Sequence, residues 1–134
     1  MMLPRRSVLV GLLAHALSAV IAVATLMHAS SPFSWDPFVL WVAAPYAAFA
    51  AAIVIPWGDA DRRTRTGCVT ALVVLVVTHF FYRGIWGSQS STVSLLFYYL
   101  PMYLLPGGAV LWLLVYLFGP RVWTWLSAGT GKLD

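Results

Sequence analysis

The sequence contains very little charge. Only 9% of its 134 residues are charged, and 61% are hydrophobic, whereas about a quarter of the residues in a soluble domain are charged. Glutamate is absent, so the acidic residues are all aspartates: Asp36, Asp59, Asp61 and Asp134. This composition excludes an ordinary soluble domain and predicts an integral membrane protein.

Several groups that enzymes and redox proteins use are scarce or missing. The single cysteine, Cys68, cannot form an internal disulfide and has no second thiol for a metal site, so we interpret it as a packing residue. No acidic residue falls within a long apolar run, which excludes a proton-coupled carrier that works through a buried carboxylate. The HExxH, GxSxG and Walker glycine-loop motifs are also missing. We therefore expect no catalysis, no bound metal and no cofactor.

Four mainly apolar stretches are long enough to cross the hydrocarbon core of a bilayer, which requires roughly 20 helical residues. They cover residues 7–29, 37–57, 66–85 and 93–118. The sequence therefore predicts an all-α fold in which residues 1–134 form one domain, a small bundle of four transmembrane helices.

The chain begins with MMLPRR and an apolar run, a pattern that secretory signals also show. The run is longer than the apolar core of a typical signal, which has about 7 to 15 residues. We therefore interpret it as an uncleaved first span.

The basic residues flank the apolar stretches and form no continuous patch, which argues against a nucleic-acid partner despite the formal net charge of +4. Short loops rich in Lys and Arg stay in the cytoplasm. All the basic residues except Arg83 fall on one side of the four spans: Arg5, Arg6, Arg62, Arg63, Arg65, Arg121 and Lys132. We expect both termini in the cytoplasm, in a layout that resembles many small multi-pass proteins of the bacterial inner membrane.

Small residues at four-residue spacing indicate where membrane helices approach each other closely. In the second span, Ala44, Ala48 and Ala52 form one such line. In the first span, Gly11 and Ser18 share a face with His15, which places this histidine towards protein instead of lipid. We expect these residues to pack between helices: Ala44, Ala48, Ala52, Gly11, His15 and Ser18.

The fourth span contains two prolines, Pro101 and Pro106, followed by Gly107 and Gly108. Each proline removes an amide donor and frees the carbonyl four residues earlier. We expect a kink here, with the freed carbonyls satisfied by neighbouring helices. Alternatively, a broken helix of this kind presents carbonyls to ions or substrates, as in transporters.

Arg83 lies one helical turn beyond His79, at the outer end of the third span. Arginine at a helix end can extend its charged group to the interface, so an anchoring role accounts for it. Alternatively, Arg83 pairs with Asp36. A third interpretation is a pocket for an anionic lipid headgroup. The candidate ligand residues of this pocket are His28, His79, Tyr82, Arg83 and Trp86.

These features favour a non-enzymatic membrane protein that acts by helix–helix association. It would serve as an accessory subunit or a protective or regulatory partner, bound to another membrane protein or to further copies of itself. The main alternative is a small oligomeric carrier or flippase for an anionic or lipid-linked substrate, using Arg83 and the proline-broken fourth span. A redox subunit that binds haem between His15 and His79 is a third possibility, opposed by a height difference of roughly 8 Å between the two positions.

Overall fold

The computed structural model describes residues 3–29, 37–86 and 93–130, with side chains at 5–27, 39–84, 86 and 99–129. Within these ranges the protein forms four α-helices: α1 (Leu3–Ala29), α2 (Pro37–Val54), α3 (Ala60–Ile85) and α4 (Val93–Thr130). The predicted all-α class and the number of helices are confirmed.

Three of the four helices are long and apolar enough to cross a membrane. The candidate spans are Arg5–Met27, Ala60–Gly84 and Tyr99–Gly129. The second helix is shorter, with an apolar stretch at Val39–Val54. The structure therefore supports a helical membrane protein, with α2 as the exception in length.

The connection between α2 and α3 determines where α3 begins. Gly58 has a φ of 56°, a left-handed conformation that favours glycine. The Asp59 side chain then accepts hydrogen bonds from the amides of Asp61 (2.9 Å) and Arg62 (3.4 Å), and so caps the start of α3. Because of this cap, α3 begins at Ala60, six residues before the predicted third span.

Contacts between side chains show that successive helices run in opposite directions. Gly11 of α1 lies beside Cys68, and Thr25 of α1 bonds Trp86 after α3, so α1 and α3 are parallel. Gly11 of α1 lies beside Ile53 of α2. Four residues further along α1, His15 stacks on Phe49, which is four residues earlier on α2, so α1 and α2 are antiparallel. Tyr116 of α4 bonds Arg62 of α3, and Trp112, four residues earlier on α4, lies beside Gly67, five residues later on α3, so these two helices are antiparallel. The helix order is therefore up-down-up-down, with α1 packed most extensively against α3.

This arrangement collects the described arginines other than Arg83 at one end of the bundle, which we call the basic end. Arg5 and Arg6 precede Gly11 by about as many residues as the α3 arginines precede Cys68. Arg121 follows Tyr116, whose carbonyl bonds Arg62. The basic end therefore comprises Arg5, Arg6, Arg62, Arg63, Arg65 and Arg121, and Trp86 lies at the opposite end.

Close approach of the helices near the basic end depends on glycine. A Cβ atom at Gly67 would lie 2.5 Å from Cγ1 of Ile53, and one at Gly11 would lie 2.9 Å from its Cδ1. One turn away, a Cβ at Gly108 would collide with the ring of Phe49. The large α2 side chains therefore fill notches that the glycines leave in the other three helices.

The core nearer the opposite end is joined by hydroxyl groups. The hydroxyls of Tyr46 and Thr78 lie 3.1 Å apart and link α2 to α3. Around them pack the buried residues of the larger apolar cluster: Ala22, Leu26, Val42, Val74 and Tyr82. Interhelical hydrogen bonds of this kind stabilise membrane helix pairs by about 0.6 kcal/mol on average.

Substitution of Gly108 by alanine tests the notch directly. Alanine in a helix interior usually stabilises by about 0.5–1 kcal/mol relative to glycine, but at position 108 the new methyl group overpacks against Phe49, which typically costs about 1–3 kcal/mol. We expect Gly108→Ala to lower the thermal unfolding midpoint in detergent. We expect Gly107→Ala to leave it unchanged or raise it, because a Cβ there meets nothing within 4 Å. A double variant Phe49→Leu/Gly108→Ala should recover part of the loss, and equal midpoints for the two alanine variants would contradict the notch.

Candidate functional site

The predicted ligand residues on α3 do not share one surface. His79 and Arg83 are exposed, whereas Tyr82 is buried in the bundle with 1% of its surface accessible. Arg83 has no ion pair or hydrogen bond among the residues that the structure describes. A ligand could therefore reach the Arg83 guanidinium from outside the bundle. The same ligand would not contact Tyr82, because that side chain is buried.

Trp86 belongs partly to the packing of the bundle. Its indole Nε1 donates a hydrogen bond of 2.8 Å to Oγ1 of Thr25, which joins the end of α3 to α1. Half of its surface is exposed. The side chain of His28 and the whole of Asp36 lie outside the described residues, so their predicted contacts with Arg83 stay predictions.

His15 is the most unusual buried residue of the bundle. Only 1% of its surface is accessible, and neither ring nitrogen has a hydrogen-bond partner among the described residues. Its ring stacks on Phe49, with centroids 5.9 Å apart and planes inclined by 24°. In contrast, Ser18 and Thr25 on the same helix donate to carbonyls one turn earlier, at 2.8 and 2.7 Å.

Two further buried groups near His15 also lack partners in the described part of the chain: the hydroxyl of Thr70 and the indole nitrogen of Trp112. Trp112 packs against Gly67, one turn from Thr70, and clusters with Phe49. Neutral imidazole provides one donor and one acceptor, threonine provides both, and indole provides a donor. The side chains of His15, Thr70 and Trp112 therefore carry hydrogen-bonding capacity that the described residues do not use.

The two histidines proposed for haem are on different sides of the helix packing. His15 faces the interior, whereas His79 is exposed and contacts Phe80 edge to face. The structure therefore does not bring them into one pocket. Within residues 3–29, 37–86 and 93–130, no group of three or more His, Cys, Asp or Glu side chains could hold a metal ion.

Arg62 binds backbone carbonyls of α4 at the basic end. Its Nε donates to the Tyr116 carbonyl at 2.6 Å, its Nη2 donates to the Leu117 carbonyl at 3.3 Å, and its guanidinium lies 4.3 Å from the centre of the Tyr116 ring. The Tyr116 carbonyl is available because Pro120, four residues later, has no amide hydrogen to donate to it. Arg62 therefore takes the place of the missing helical donor.

Arg63 also donates to backbone carbonyls, in this case at the end of α2 and in the loop that follows it. Its Nε donates to the Ile53 carbonyl at 3.2 Å and its Nη1 to the Trp57 carbonyl at 2.6 Å. The Trp57 indole donates to the Ala52 carbonyl at 2.8 Å. The last carbonyls of a helix lack internal partners and carry partial negative charge, so a cation is favourable here.

From the sequence alone, Arg62 and Arg63 indicate only the topology of the chain. The proline rule that identified the freed carbonyls of the fourth span also applies to Pro120, and would have indicated an unpaired Tyr116 carbonyl. Its partner could not be found from sequence, because Arg62 is 54 residues away.

The middle of the outward face of α2 consists of small side chains, with exposed Leu40 and Trp41 near the start of the helix and Val54 at its end. Its buried residues are Val42, Pro45, Tyr46, Phe49 and Ile53. On the opposite side, four alanines are exposed: Ala44, Ala47, Ala48 and Ala51. Of the predicted packing residues, Gly11, His15 and Ser18 lie in the interior and Ala52 is partly buried, whereas Ala44 and Ala48 are exposed on the surface of the bundle.

The prolines and glycines predicted to kink the fourth span lie inside α4, which continues through Pro101, Pro106 and Pro120. Pro101 and Gly108 are buried against the bundle, and Pro106 and Gly107 are exposed.

Comparisons with models of known protein families, with curated proteins and with solved structures found no match for this chain.

A double-mutant cycle tests the role of Arg62. A hydrogen bond to a charged group contributes about 1.5–3 kcal/mol, so we expect Arg62→Ala to destabilise the bundle by about 1.5 kcal/mol in a detergent unfolding titration. In a Pro120→Ala background the loss should be smaller, because the new amide can donate to Tyr116. Arg65→Ala is the control: its ion pair with Asp61 is exposed and 3.7 Å long, so its loss should cost under about 1 kcal/mol. The same loss for Arg62→Ala in both backgrounds would show that Arg62 does not replace the missing donor.

Proposed function

We propose that this protein is a four-span helical protein of a bacterial inner membrane, with its basic end and both termini in the cytoplasm. Three helices of sufficient length and apolarity support membrane insertion. The concentration of arginines at one end supports the orientation. In this topology α2 is the second crossing, although its 18 residues extend only about 27 Å, slightly less than a typical hydrocarbon core of about 30 Å.

Cysteine labelling of intact cells tests the orientation. In a Cys68→Ala background, we expect a membrane-impermeant maleimide to label Gly84→Cys from outside the inner membrane. Ala60→Cys should react only after the membrane is opened. Both positions are exposed in the bundle. Labelling of Ala60→Cys in cells with an intact inner membrane would overturn the proposed topology.

Within the membrane, we propose that the protein acts without catalysis, by lateral association with another membrane protein or with further copies of itself. It would serve as an accessory subunit or a protective or regulatory partner. The observation that carries this proposal is the outward alanine face of α2. Small side chains allow a second helix to approach closely, which is the main source of association between membrane helices.

The other helices differ from α2 in what they present outwards. Along the middle of α1 and α3, most exposed positions are occupied by large apolar side chains suited to lipid, among them Leu9, Leu13, Leu17, Val20, Leu72, Val73, Val76 and Phe80. The short length of α2 adds independent support, because a helix that falls short of the hydrocarbon core can be accommodated by oligomerisation.

A second candidate function is a small oligomeric carrier or flippase for an anionic or lipid-linked substrate. The exposed guanidinium of Arg83 favours it, since arginine can bind a phosphate group in a bidentate manner. This candidate also uses α4, with Pro101 and Pro106 as points where the helix could open.

Cross-linking through α2 tests the association proposal. In a Cys68→Ala background, we expect Ala48→Cys to give a cross-linked adduct of defined mass in native membranes. Val76→Cys, an exposed control on α3, should not. Adding Ala44→Leu should reduce the adduct several-fold by blocking close approach, and adding Arg83→Ala should leave it unchanged.

Equal cross-linking from Ala48→Cys and Val76→Cys, or none from either, would contradict association through α2. The carrier candidate predicts instead that Arg83→Ala abolishes retention of labelled phosphatidylglycerol by the purified protein. Retention that is unchanged in this variant would contradict the carrier.

A further inference from the structure

The last part of α4 extends beyond the rest of the bundle. The helix has 38 residues and is therefore about 57 Å long, against a hydrocarbon core of about 30 Å. Tyr116 lies level with the start of α3, because its carbonyl bonds Arg62. Every residue from 121 to 129 is exposed. We call residues 121–129 the α4 extension.

The α4 extension is amphipathic. At 100° per residue, its large apolar side chains fall within one arc of about 160°: Val122, Trp123, Trp125 and Leu126. Arg121, Thr124 and Ser127 lie on the opposite arc. The hydroxyls of Thr124 and Ser127 bond carbonyls of their own helix, at 2.9 and 2.8 Å.

The apolar arc does not suit a helix that continues straight out of the membrane. The headgroup region adds roughly 5–7 Å on each side of the hydrocarbon core. We place the edge of the hydrocarbon core at the level of Tyr116 and the arginines at the start of α3. Trp125 is nine residues after Tyr116, which corresponds to about 13 Å beyond this edge along a straight helix. Its side chain, with 76% of its surface exposed, would then be in water.

The chain provides a point at which α4 can change direction. Gly119 and Pro120 directly precede the extension, and the carbonyl that Pro120 leaves without an amide partner is already bonded to Arg62. A bend at this position therefore breaks no helical hydrogen bond to the Tyr116 carbonyl. Proline is one of the usual causes of a sharp helix bend.

The surroundings of the extension are positively charged. The basic end carries exposed Arg5, Arg6 and Arg65 in addition to Arg121. The aspartates described there are Asp59, which caps α3, and Asp61, which pairs with Arg65. A basic polar arc with tryptophan and leucine on the opposite arc is typical of helices that lie in the interface of an anionic membrane. In the extension the basic residue is Arg121, and Arg5, Arg6 and Arg65 of the neighbouring helices add to the positive charge around it.

We propose that the α4 extension is a lipid-binding helix, which bends at Pro120 and lies in the headgroup region of the leaflet at the basic end. Trp123, Trp125 and Leu126 contact the acyl boundary, and Arg121 binds the phosphates of anionic lipids. The proposal rests on membrane insertion of the bundle but not on association through α2.

Spin labels on the two arcs of the extension test this proposal. The protein, with Cys68→Ala, is reconstituted in nanodiscs with or without 30% phosphatidylglycerol in phosphatidylcholine. Labels at Leu126→Cys and Thr124→Cys report the apolar and the polar arc. A label at Val76→Cys, on the outward face of α3, reports membrane insertion separately.

We expect the label at 126 to be accessible to oxygen and shielded from a water-soluble nickel reagent, and the label at 124 to show the reverse. Arg121→Gln, or removal of phosphatidylglycerol, should increase the nickel accessibility at 126 several-fold. Equal nickel accessibility at 124 and 126 would mean that the extension is in water and would overturn the proposal.

Shielding of both labels from both reagents would overturn it in favour of a protein partner, and dipolar broadening would identify that partner as a second copy. Nickel accessibility at 76 would show that the bundle is not inserted, which contradicts membrane insertion itself. An interfacial pattern that does not depend on Arg121 or phosphatidylglycerol would overturn the role of anionic phosphate.

Discussion

The bundle depends on finding donors for backbone carbonyls that its own helices leave unpaired. In hydrocarbon no water is available for this purpose, and each unsatisfied group costs several kcal/mol. At the basic end the donors are Arg62 for α4 and Arg63 and Trp57 for α2. Arg62 and Arg63 therefore join α3 to α4 and to α2 at the basic end.

Next to the basic end, the packing of the helices is determined by which helix supplies large side chains and which supplies small ones. Phe49 and Ile53 of α2 occupy the space left by Gly11, Gly67 and Gly108. Because these side chains face inwards, the alanines of α2 are left on the outside. The exposed small face is thus a direct result of the same packing that fills the core.

The sequence was sufficient to predict four helices and the clustering of arginines at one end, because both follow from the length of apolar runs and the position of charges. It was not sufficient for the boundaries of α3 and α4. The start of α3 depends on the Asp59 cap, and α4 continues past Pro120, where Arg62 donates to the Tyr116 carbonyl in place of the missing amide. Neither interaction can be recognised by counting apolar residues. It also could not show that Ala44 and Ala48 face outwards, since alanines at four-residue spacing occur on more than one side of α2. His15 was placed inside from its spacing with Gly11 and Ser18, but its lack of a hydrogen-bond partner depends on the neighbouring helices.

The parallel pairing of α1 with α3 has a consequence for how the chain is assembled during synthesis. The polar side of α1, with His15, Ser18 and Thr25, is covered in part by α2, whose Phe49 stacks on His15, and in part by α3, which begins 57 residues after the start of α1. Until those helices are made, the imidazole and the two hydroxyls lack the cover that they have in the finished bundle. Ser18 and Thr25 can meet this delay by bonding their own helix, as they do in the finished bundle. His15 makes no such bond with the described residues, so its cover depends entirely on the helices that follow α1 in the chain.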